Sequence, residues 1–542
     1  MALFALAREA DGKANVSPRT SDPNRPHIQF FLTARQYVVI LCFPAIFASV
    51  AYFYWVARAT TYPYEFDYGE GIVLWQAAHV TRLASAYAPI THYPYIVFHY
   101  TPLYHLVSWM VSKLTGNLLF AGRLVTFVST FALCLTLAWT VYRSVPARAP
   151  RLAAIGGAIF AAALPCGLDN MDWALLMRVD MLGLWLTFAG LALFLFGRTA
   201  AMRYGAFVLF VAAMYTKQTL IAGALACLVV SALLDIKQAI KYLFFTAVLG
   251  TFVMILLVLA THGQVIRHLF VYNHNPFSLR RAIQLINENI QLTLPLLALG
   301  CGGALGPLSD ASRAVLRRTL EPLRTRLSKS SYRRALFLFA IHFLFSGLIC
   351  FTVGKEGSNS NYLIEWNLSA CALAGLVVAR FIWSWNTARR VSATAAVAYL
   401  LPVLMVAQEA ESAFRFVVPS ADVRQQHDDN VRNTQALVNI LRSSPEPVMS
   451  ENMTLLYMAG KQVPFEPAII TQLAKSGLWH ETPVVDMIRR RAFSVMIIRD
   501  VDDTERYSPA VARAIKENYE PAEEYGQLTV YRSADTSRAP DN

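Results

Sequence analysis

The chain has 542 residues, of which 56% are hydrophobic, and its formal net charge is +13. Apolar runs of about 15–20 residues recur between Tyr37 and Ala407, close to the length that a helix needs to cross a bilayer. The residues before Glu409 include 33 basic and 15 acidic side chains, whereas the rest of the chain has 15 basic and 20 acidic ones. Because membrane proteins concentrate Lys and Arg in cytoplasmic loops, the pattern predicts a multi-pass membrane protein and argues against a nucleic-acid partner.

The cysteines give no sign of a disulfide framework or a zinc site. All seven lie in or beside apolar runs, none follows Cys371, and none forms a pair with metal-ligand spacing.

Residues Met1–Arg35 are predicted to be a mostly disordered cytoplasmic tail, because Pro18, Pro23 and Pro26 interrupt any helix. No short apolar region with a small-residue cleavage site precedes Tyr37–Trp55. This first span is therefore interpreted as an uncleaved signal anchor that runs outward.

A large external loop, residues 57–123, is expected to follow and to carry surface helices, among them Gly71–Leu83. Pro102–Leu114 is apolar but about 13 residues long, which is short for a span. Thr101 is the expected N-cap of that helix, with Pro102 at its first position.

The side of a basic loop decides whether Pro102–Leu114 crosses the membrane. If it crossed, the loop Arg143–Arg151 would face outward. If it lies on the surface, Leu124–Tyr142 becomes the second span and the basic loop is cytoplasmic. The second arrangement obeys the positive-inside rule, and we adopt it.

Tyr204–Leu234 is either one helix of about 31 residues or a hairpin of two short helices that turns near Lys217. Ser309–Arg334 contains eight basic and two acidic residues and should be cytoplasmic, which only the hairpin allows. The prediction is then about eleven transmembrane helices in a domain covering residues 36–408. Besides the two spans above and the hairpin, the predicted spans are Leu152–Pro165, Met181–Phe196, Tyr242–Ala260, Leu292–Leu308, Ala335–Val353, Leu368–Phe381 and Val391–Ala407.

Residues 409–542 are predicted to form a small external α/β domain. Short buried strands are expected at 447–450, 494–498 and 528–532, with helices at Val431–Leu441 and Ala510–Asn518.

With these sides assigned, polar residues next to the membrane concentrate on the external face. Ionisable groups near hydrocarbon are costly, so they are candidates for function. The external loops and the hairpin turn contribute Glu65, Asp67, Glu70, Asp169, Asp172, Arg178, Asp180, Lys217, Gln218, Arg267, His268, Asn273, His274, Asn275, Arg280, Arg281, Lys355, Glu356, Asn359, Asn361, Tyr362 and Glu365.

Structural interpretations compete with a functional one. Asp67 and Glu70 match a capping box for a helix that begins near Gly69. Arg178 and Asp180 are also compatible with an ion pair at the end of a span. Lys217 is compatible with a side chain that snorkels to the interface, and His268 and His274 fit structural or rim positions better than ligand positions.

Several short motifs resemble the GT-C glycosyltransferases, which include protein O-mannosyltransferases and the bacterial lipid A aminoarabinose transferase. Asp67-Tyr68-Gly69-Glu70-Gly71 resembles the acidic motif after their first span, and Tyr100-Thr101-Pro102-Leu103-Tyr104 resembles the start of their surface helix. Arg178-Val179-Asp180-Met181 and Lys217-Gln218-Thr219 are similar to segments of bacterial members. The family pattern is an adjacent Asp-Glu pair, but here Gly69 stands where the Asp would be.

The resemblance implies transfer of a sugar from a polyprenyl-phosphate donor to a lipid, glycan or protein acceptor at the external, periplasmic face of the plasma membrane, usually with inversion. Asp67 or Glu70 would be the catalytic base. The candidates for holding the donor and its phosphate are Arg178, Asp180, Lys217, Gln218, His274, Arg280, Lys355 and Asn361. A divalent cation, Mg²⁺ or Mn²⁺, bridging Asp67 or Glu70 to phosphate is compatible with these residues but not required by them.

Two other classes of function stay open at the level of sequence. A transporter or flippase for a lipid-linked or anionic solute would use the same external cations but would need polar residues at mid-span, where few are visible. A non-catalytic membrane subunit would use its C-terminal domain to bind a partner.

Overall fold

The computed structural model of the chain describes residues 27–29, 32–273, 275–317, 319–385, 390–417 and 421–533. Most of the predicted N-terminal tail and His274 therefore lie outside the described residues. The helices are, in chain order, α1 Ala34–Thr60, α2 Tyr68–His79, α3 Leu83–Ala86, α4 Leu103–Thr115, α5 Leu118–Ser144, α6 Arg151–Ala163, α7 Asp180–Phe196, α8 Ala200–Met214, α9 Ala222–Leu234, α10 Ile236–Ala260, α11 Leu279–Leu316, α12 Glu321–Lys329, α13 Ser331–Ile349, α14 Ile364–Ser384, α15 Ala393–Val417, α16 Ala421–Ser443, α17 Met453–Ala459, α18 Pro467–Lys475, α19 Thr482–Arg489 and α20 Pro509–Asn518.

The described part of the chain contains seven helices that are long and apolar enough to cross a membrane. The number is eight if α6 and the 3₁₀ turns that follow it count as one span, although the two parts meet at an angle of 82°. The helices α7, α8 and α9 are apolar but shorter. A polytopic helical membrane protein is thus confirmed, whereas the count of eleven spans stays a prediction.

The segment Tyr204–Leu234 forms two helices, α8 and α9, and not one continuous helix. Residues 215–221 connect the two helices and are not α-helical, and Lys217 lies in this connection. The hairpin interpretation from the charge pattern therefore agrees with the helices that form.

Two predicted helix ends in the first loop differ from the structure. Pro102 is the N-cap of α4 and makes no side-chain capping bond, so the predicted cap at Thr101 is wrong. The Thr101 hydroxyl instead donates to the Met214 carbonyl (3.1 Å) and ties α4 to α8. The first surface helix is Tyr68–His79, which begins three residues earlier than predicted because Asp67 caps it.

The C-terminal domain has a four-stranded sheet of β3 Met449–Ser450, β4 Met496–Ile498, β5 Tyr519–Tyr525 and β6 Leu528–Ser533, after a short β1–β2 pair, His27–Gln29 with Arg390–Ser392. The strand order is β3-β4-β6-β5, in which only β3 and β4 run parallel. All three predicted strands are present, and β5 is an additional one. The predicted boundary at residue 409 falls inside helix α15.

The C-terminal domain packs directly on the first loop. Tyr95 forms a parallel bridge with Phe465, and the Trp479 indole donates to the Ile90 carbonyl (3.0 Å). Two hydrophobic clusters contain residues of both regions, such as Trp75 with Leu456. The two regions therefore lie on the same side of the membrane-spanning helices, as the charge-based topology requires.

Candidate active site

The N-terminus of α2 brings the acidic motif of the first loop into two separate environments. The Asp67 carboxylate accepts a hydrogen bond from the Gly69 N–H (3.0 Å), which caps the helix. Glu70 does not complete a capping box, because its carboxylate accepts from the Phe66 N–H (2.7 Å). The capping interpretation thus holds for Asp67 alone.

Glu70 forms a fully buried ion pair with Arg123 of α5, and both side chains are 0% exposed. The guanidinium donates to both carboxylate oxygens, at 2.8 and 2.7 Å, and the Met177 N–H donates at 2.6 Å. Arg123 also donates to the carbonyls of Tyr62 and Tyr64 (both 2.6 Å). Glu70 is therefore enclosed by four donors, and it locks the first loop to α5 and to the segment before α7.

Asp67 faces a different partner and remains accessible. Its carboxylate pairs with the Arg178 guanidinium, and the two side chains are 37% and 13% exposed. The guanidinium also lies over the Trp173 ring, 4.8 Å from its centroid. A Cβ atom at Gly69 would overlap this guanidinium, so Gly69 leaves the space that the Asp67–Arg178 pair occupies.

A second ion pair forms at the start of α7. The Lys217 ammonium donates to Asp180 Oδ1 (2.6 Å), and the Asn361 amide donates to the same oxygen (3.0 Å). Lys217 also lies over the Tyr362 ring, 4.1 Å from its centroid. Burial lowers and Asp180 raises the pKa of Lys217, and the net pKa is above its usual value, so the ammonium stays charged.

These contacts revise two sequence interpretations. Lys217 is buried and ion-paired, so it does not snorkel to the interface. Arg178 and Asp180 do not pair with each other, since each has a partner on another segment.

Unsatisfied polar atoms mark the space between the two ion pairs. Buried side-chain atoms without a hydrogen-bond partner include Arg178 Nε, Asp180 Oδ2, Asn361 Oδ1 and His99 Nδ1. Arg178 and Asp180 are two residues apart, and Asn361 binds Asp180 directly. Buried polar groups are normally paired, so this group of atoms has unused hydrogen-bonding capacity.

His99 and Tyr100 border the same space, and the sequence analysis did not select them. Burial, with a smaller contribution from Arg178, lowers the pKa of His99 to about 4. Burial raises the pKa of Tyr100 to about 12, with Arg178 and Lys217 acting in the opposite direction. Both groups are thus neutral near pH 7. Tyr100 begins the motif that resembles the start of the family's surface helix, whereas the signal for His99 is the density of Tyr and His just before α4.

The other predicted site residues lie around this centre. Gln218 donates to the His99 carbonyl (3.1 Å), so it supports the loop that carries His99. Lys355 is half-buried in the segment that leads to Asn361, and Arg280 is exposed in the first turn of α11. Among the described residues, neither side chain forms a hydrogen bond or an ion pair.

The third acidic residue of the motif, Glu65, contacts the C-terminal domain. Its carboxyl accepts from the Thr454 hydroxyl (2.5 Å), and burial raises its pKa well above the usual value. The adjacent Tyr68 hydroxyl donates to Glu466, and the Arg506 guanidinium lies over the Tyr68 ring (4.1 Å to the centroid). The domain therefore holds the turn that presents Asp67.

The donor set does not fit a divalent cation at Asp67 and Glu70. Within the described ranges no group of three His, Cys, Asp or Glu side chains is placed to hold a metal ion. Glu70 is occupied by Arg123 and two backbone donors, and Asp67 faces a cation. We derive no step through a metal.

Comparison with known structures identifies the fold of this chain, whereas comparison of sequences finds no match. The chain matches no protein-family model, and a sequence comparison with curated proteins finds no match. Its structure is similar to that of ArnT from Cupriavidus metallidurans bound to undecaprenyl phosphate, with a TM-score of 0.58 and 14% identity over 92% of this chain and 99% of that one. The apo ArnT structure gives a TM-score of 0.57, 14% identity, and coverage of 92% and 98%. The chain therefore has the GT-C fold that the sequence motifs predict.

Proposed function

We propose that this protein is a membrane glycosyltransferase that moves a sugar from a polyprenyl-phosphate carrier to an acceptor hydroxyl. The observation that carries the proposal is the accessible Asp67 carboxylate paired with Arg178, together with a second buried cation, Lys217, on Asp180 and with unpartnered polar atoms of Arg178, Asp180 and Asn361. The GT-C fold supports the same conclusion, as does the undecaprenyl phosphate named for the similar ArnT structure.

In the proposed reaction Asp67 is the general base. Its carboxylate takes the proton of the acceptor hydroxyl while the acceptor oxygen attacks the anomeric carbon of the sugar. The bond from that carbon to the phosphate oxygen breaks, and its electron pair leaves with the polyprenyl phosphate. One displacement of this kind inverts the anomeric configuration. Glu70 is not proposed as the base, because its oxygens are fully engaged.

Arg178 and Lys217 are proposed to stabilise the departing phosphate. Preorganised cations in a water-poor site act strongly on charge that develops during reaction. Burial lowers and Asp67 raises the pKa of Arg178, with a net increase, so the guanidinium stays charged. Lys355, six residues before Asn361, and Arg280, in the first turn of α11, are proposed to guide the phosphate into the site. The roles of Asp180, Asn361 and Gln218 are to position Lys217 and the His99 loop.

The test is an assay of purified protein with a panel of polyprenyl-phosphate sugars and candidate lipid, glycan and peptide acceptors. We expect release of polyprenyl phosphate that depends on both one donor and one acceptor. The Asp67→Asn variant is the matched control, since Asn caps a helix about as well as Asp. Binding of the donor without release by any acceptor, in protein that moves the lipid across vesicles, would instead support the flippase alternative.

The location of the site on the outer face of the plasma membrane is part of the proposal. Reporter fusions at Arg148 and Ser328 should give cytoplasmic signals, and a fusion at Ser533 an external one. A cytoplasmic signal at Ser533 would contradict the topology and a periplasmic donor site with it.

A further inference from the structure

We infer that a basic cavity at the far end of the helical bundle binds an anionic phospholipid. This site is separate from the proposed transfer reaction and does not depend on it. The cavity has a volume of about 1020 Å³. Its walls come from the ends of α5, α7 and α9, and from the beginnings of α6, α8, α10 and α13.

The length of α7 separates this cavity from the candidate active site. Asp180, which begins α7, binds Lys217, whereas Phe196 at the other end of the helix lines the cavity. At 1.5 Å per residue the two ends of α7 lie about 25 Å apart. By the predicted topology the cavity therefore opens toward the cytoplasmic leaflet.

The cavity is rich in uncompensated positive charge. Five arginines line it: Arg143, Arg151, Arg198, Arg203 and Arg334. Asp235 is the single acidic residue of the lining, and its carboxylate already caps α10 by accepting from the N–H groups of Lys237 and Gln238 (3.0 and 3.2 Å). No ion pair joins the five arginines to a carboxylate within the described ranges. The lining thus has a net formal charge of +4 and lacks a counter-anion.

A positive-inside charge bias explains an excess of arginines in loops but not their arrangement here. Arg334 Nε is buried and has no hydrogen-bond partner, which is unfavourable unless a ligand accepts from it. Four helices begin at the cavity and three end there, so the helix dipoles leave only a small net positive contribution beside the charge of the arginines. These features together favour a phosphate group over bulk counter-ions.

The rest of the lining is apolar and lies next to lipid-facing surface. Phe194, Leu195, Leu234 and Tyr242 form part of the wall. The helix α10, which contributes Tyr242, exposes Ile240 and other apolar side chains toward the bilayer region. A ligand that combines a phosphate with hydrocarbon chains matches both parts of this lining, whereas a soluble phosphate would leave the apolar part uncovered.

The test is native mass spectrometry of the full chain, titrated with dioleoyl phosphatidylglycerol, with the zwitterionic dioleoyl phosphatidylcholine, and with glycerol 3-phosphate. We expect one molecule of phosphatidylglycerol to bind more tightly than the other two. The variant Arg203→Gln with Arg334→Gln should weaken that binding at least about tenfold, because two charge-assisted hydrogen bonds are lost. Arg203→Gln alone, at an exposed position, should give a smaller loss in protein that folds normally.

Arg148 offers a matched control, because it lies in the same basic loop but packs over the Trp383 ring (5.6 Å to the centroid) and does not line the cavity. Arg148→Gln should leave binding unchanged. Equal binding of phosphatidylcholine, equal binding of glycerol 3-phosphate, or equal losses in the Arg148 and Arg203 variants would each overturn the inference. Equal binding of phosphatidylcholine would show that the site does not select negative charge. Equal binding of glycerol 3-phosphate would show that the hydrocarbon chains add nothing. Equal losses in the two variants would show that the lipid does not bind in this cavity.

Discussion

Two carboxylates three residues apart in the same helical turn differ in almost every physical respect. Glu70 is fully buried, bidentate with an equally buried arginine, and saturated with donors. Asp67 is about one third exposed. Its partner, Arg178, has a buried Nε without a hydrogen-bond partner, and other polar atoms nearby also lack one. The comparison shows how one short acidic motif provides both a buried structural anchor and an accessible carboxylate.

The two carboxylates differ because their arginine partners differ. Arg123 lies on the buried face of a long helix, and its guanidinium also donates to two backbone carbonyls, so the position of this side chain is fixed. Arg178 stacks on Trp173 and leaves its Nε unsatisfied, so it has capacity for another anion. Three substitutions would test this division, and a change of pH tests the neighbouring loop; they are ordered from the largest expected effect to the smallest.

Glu70→Gln should be the most damaging change. Removing one member of a buried ion pair leaves the Arg123 charge uncompensated and costs about 3–5 kcal/mol. We expect low yield of monodisperse protein and a large drop in Tm, with activity lost as a consequence. Measurement of Tm in detergent checks this.

Replacing both partners gives the control. Glu70→Met combined with Arg123→Met removes both charges and should recover only part of the Tm, because apolar side chains can replace the ion pair but leave the N–H groups of Phe66 and Met177 and the carbonyls of Tyr62 and Tyr64 without partners. A Glu70→Gln protein with normal Tm but no transfer would contradict the structural role and return the base to Glu70.

Asp67→Asn should leave the fold intact and slow the reaction. Asn retains the cap on α2 but cannot accept the proton, so we expect a transfer rate lower by about 10²–10⁴-fold. Single-turnover transfer together with Tm checks this. Wild-type transfer by this variant would exclude Asp67 as the base.

Gly69→Ala should separate helix stability from site geometry. Alanine is favoured in a helix by about 1 kcal/mol over glycine, but its Cβ would displace the Arg178 guanidinium. We expect unchanged or higher Tm with transfer reduced by about 10–100-fold, the scale of a misplacement near 1 Å. Gly250→Ala in α10, where no atom lies within 4 Å of the added Cβ, is the control and should keep full activity. Full activity in Gly69→Ala would show that Arg178 need not occupy its observed position.

Mild acid should lower stability through buried histidines of the loop region. Burial lowers the pKa of His99 to about 4, from 6.5, and that of His268 to about 4 as well. The unfolded chain therefore binds more protons between pH 6.5 and 4, so stability falls as the pH falls through this window. The buried Glu65 carboxyl, whose pKa is raised, acts in the opposite direction, so the test is a difference between variants: His99→Gln should lose less Tm than the wild type between pH 7 and 5, which reduces the slope of Tm against pH. An unchanged slope in that variant would contradict the role of His99.

Local patterns predicted the local features of this chain. Hydropathy predicted a polytopic helical membrane protein, the charge pattern favoured two helices over Tyr204–Leu234, and short buried apolar runs located three strands of the C-terminal sheet. The sequence also identified Asp67 as a cap, since capping depends on residues within one turn.

Local patterns did not predict which residues far apart in the sequence pair with each other. Glu70 pairs with a residue 53 positions away and Asp67 with one 111 positions away, so only tertiary packing selects between them. The same holds for Tyr68 and Glu466, which are 398 positions apart. The motif was therefore located from sequence, but the separate roles of its carboxylates were not.

The packing of the C-terminal domain on the first loop also sets an order of events during synthesis. Ile90 is hydrogen-bonded to Trp479, which is made 389 residues later. At about 5–20 residues per second, the loop waits roughly 20–80 s for the partner that completes its core. During that interval its apolar residues, such as Trp75 and Tyr95, lack their covering surface. The core of the first loop is therefore complete only after residues of the C-terminal domain, including Trp479, have been synthesised.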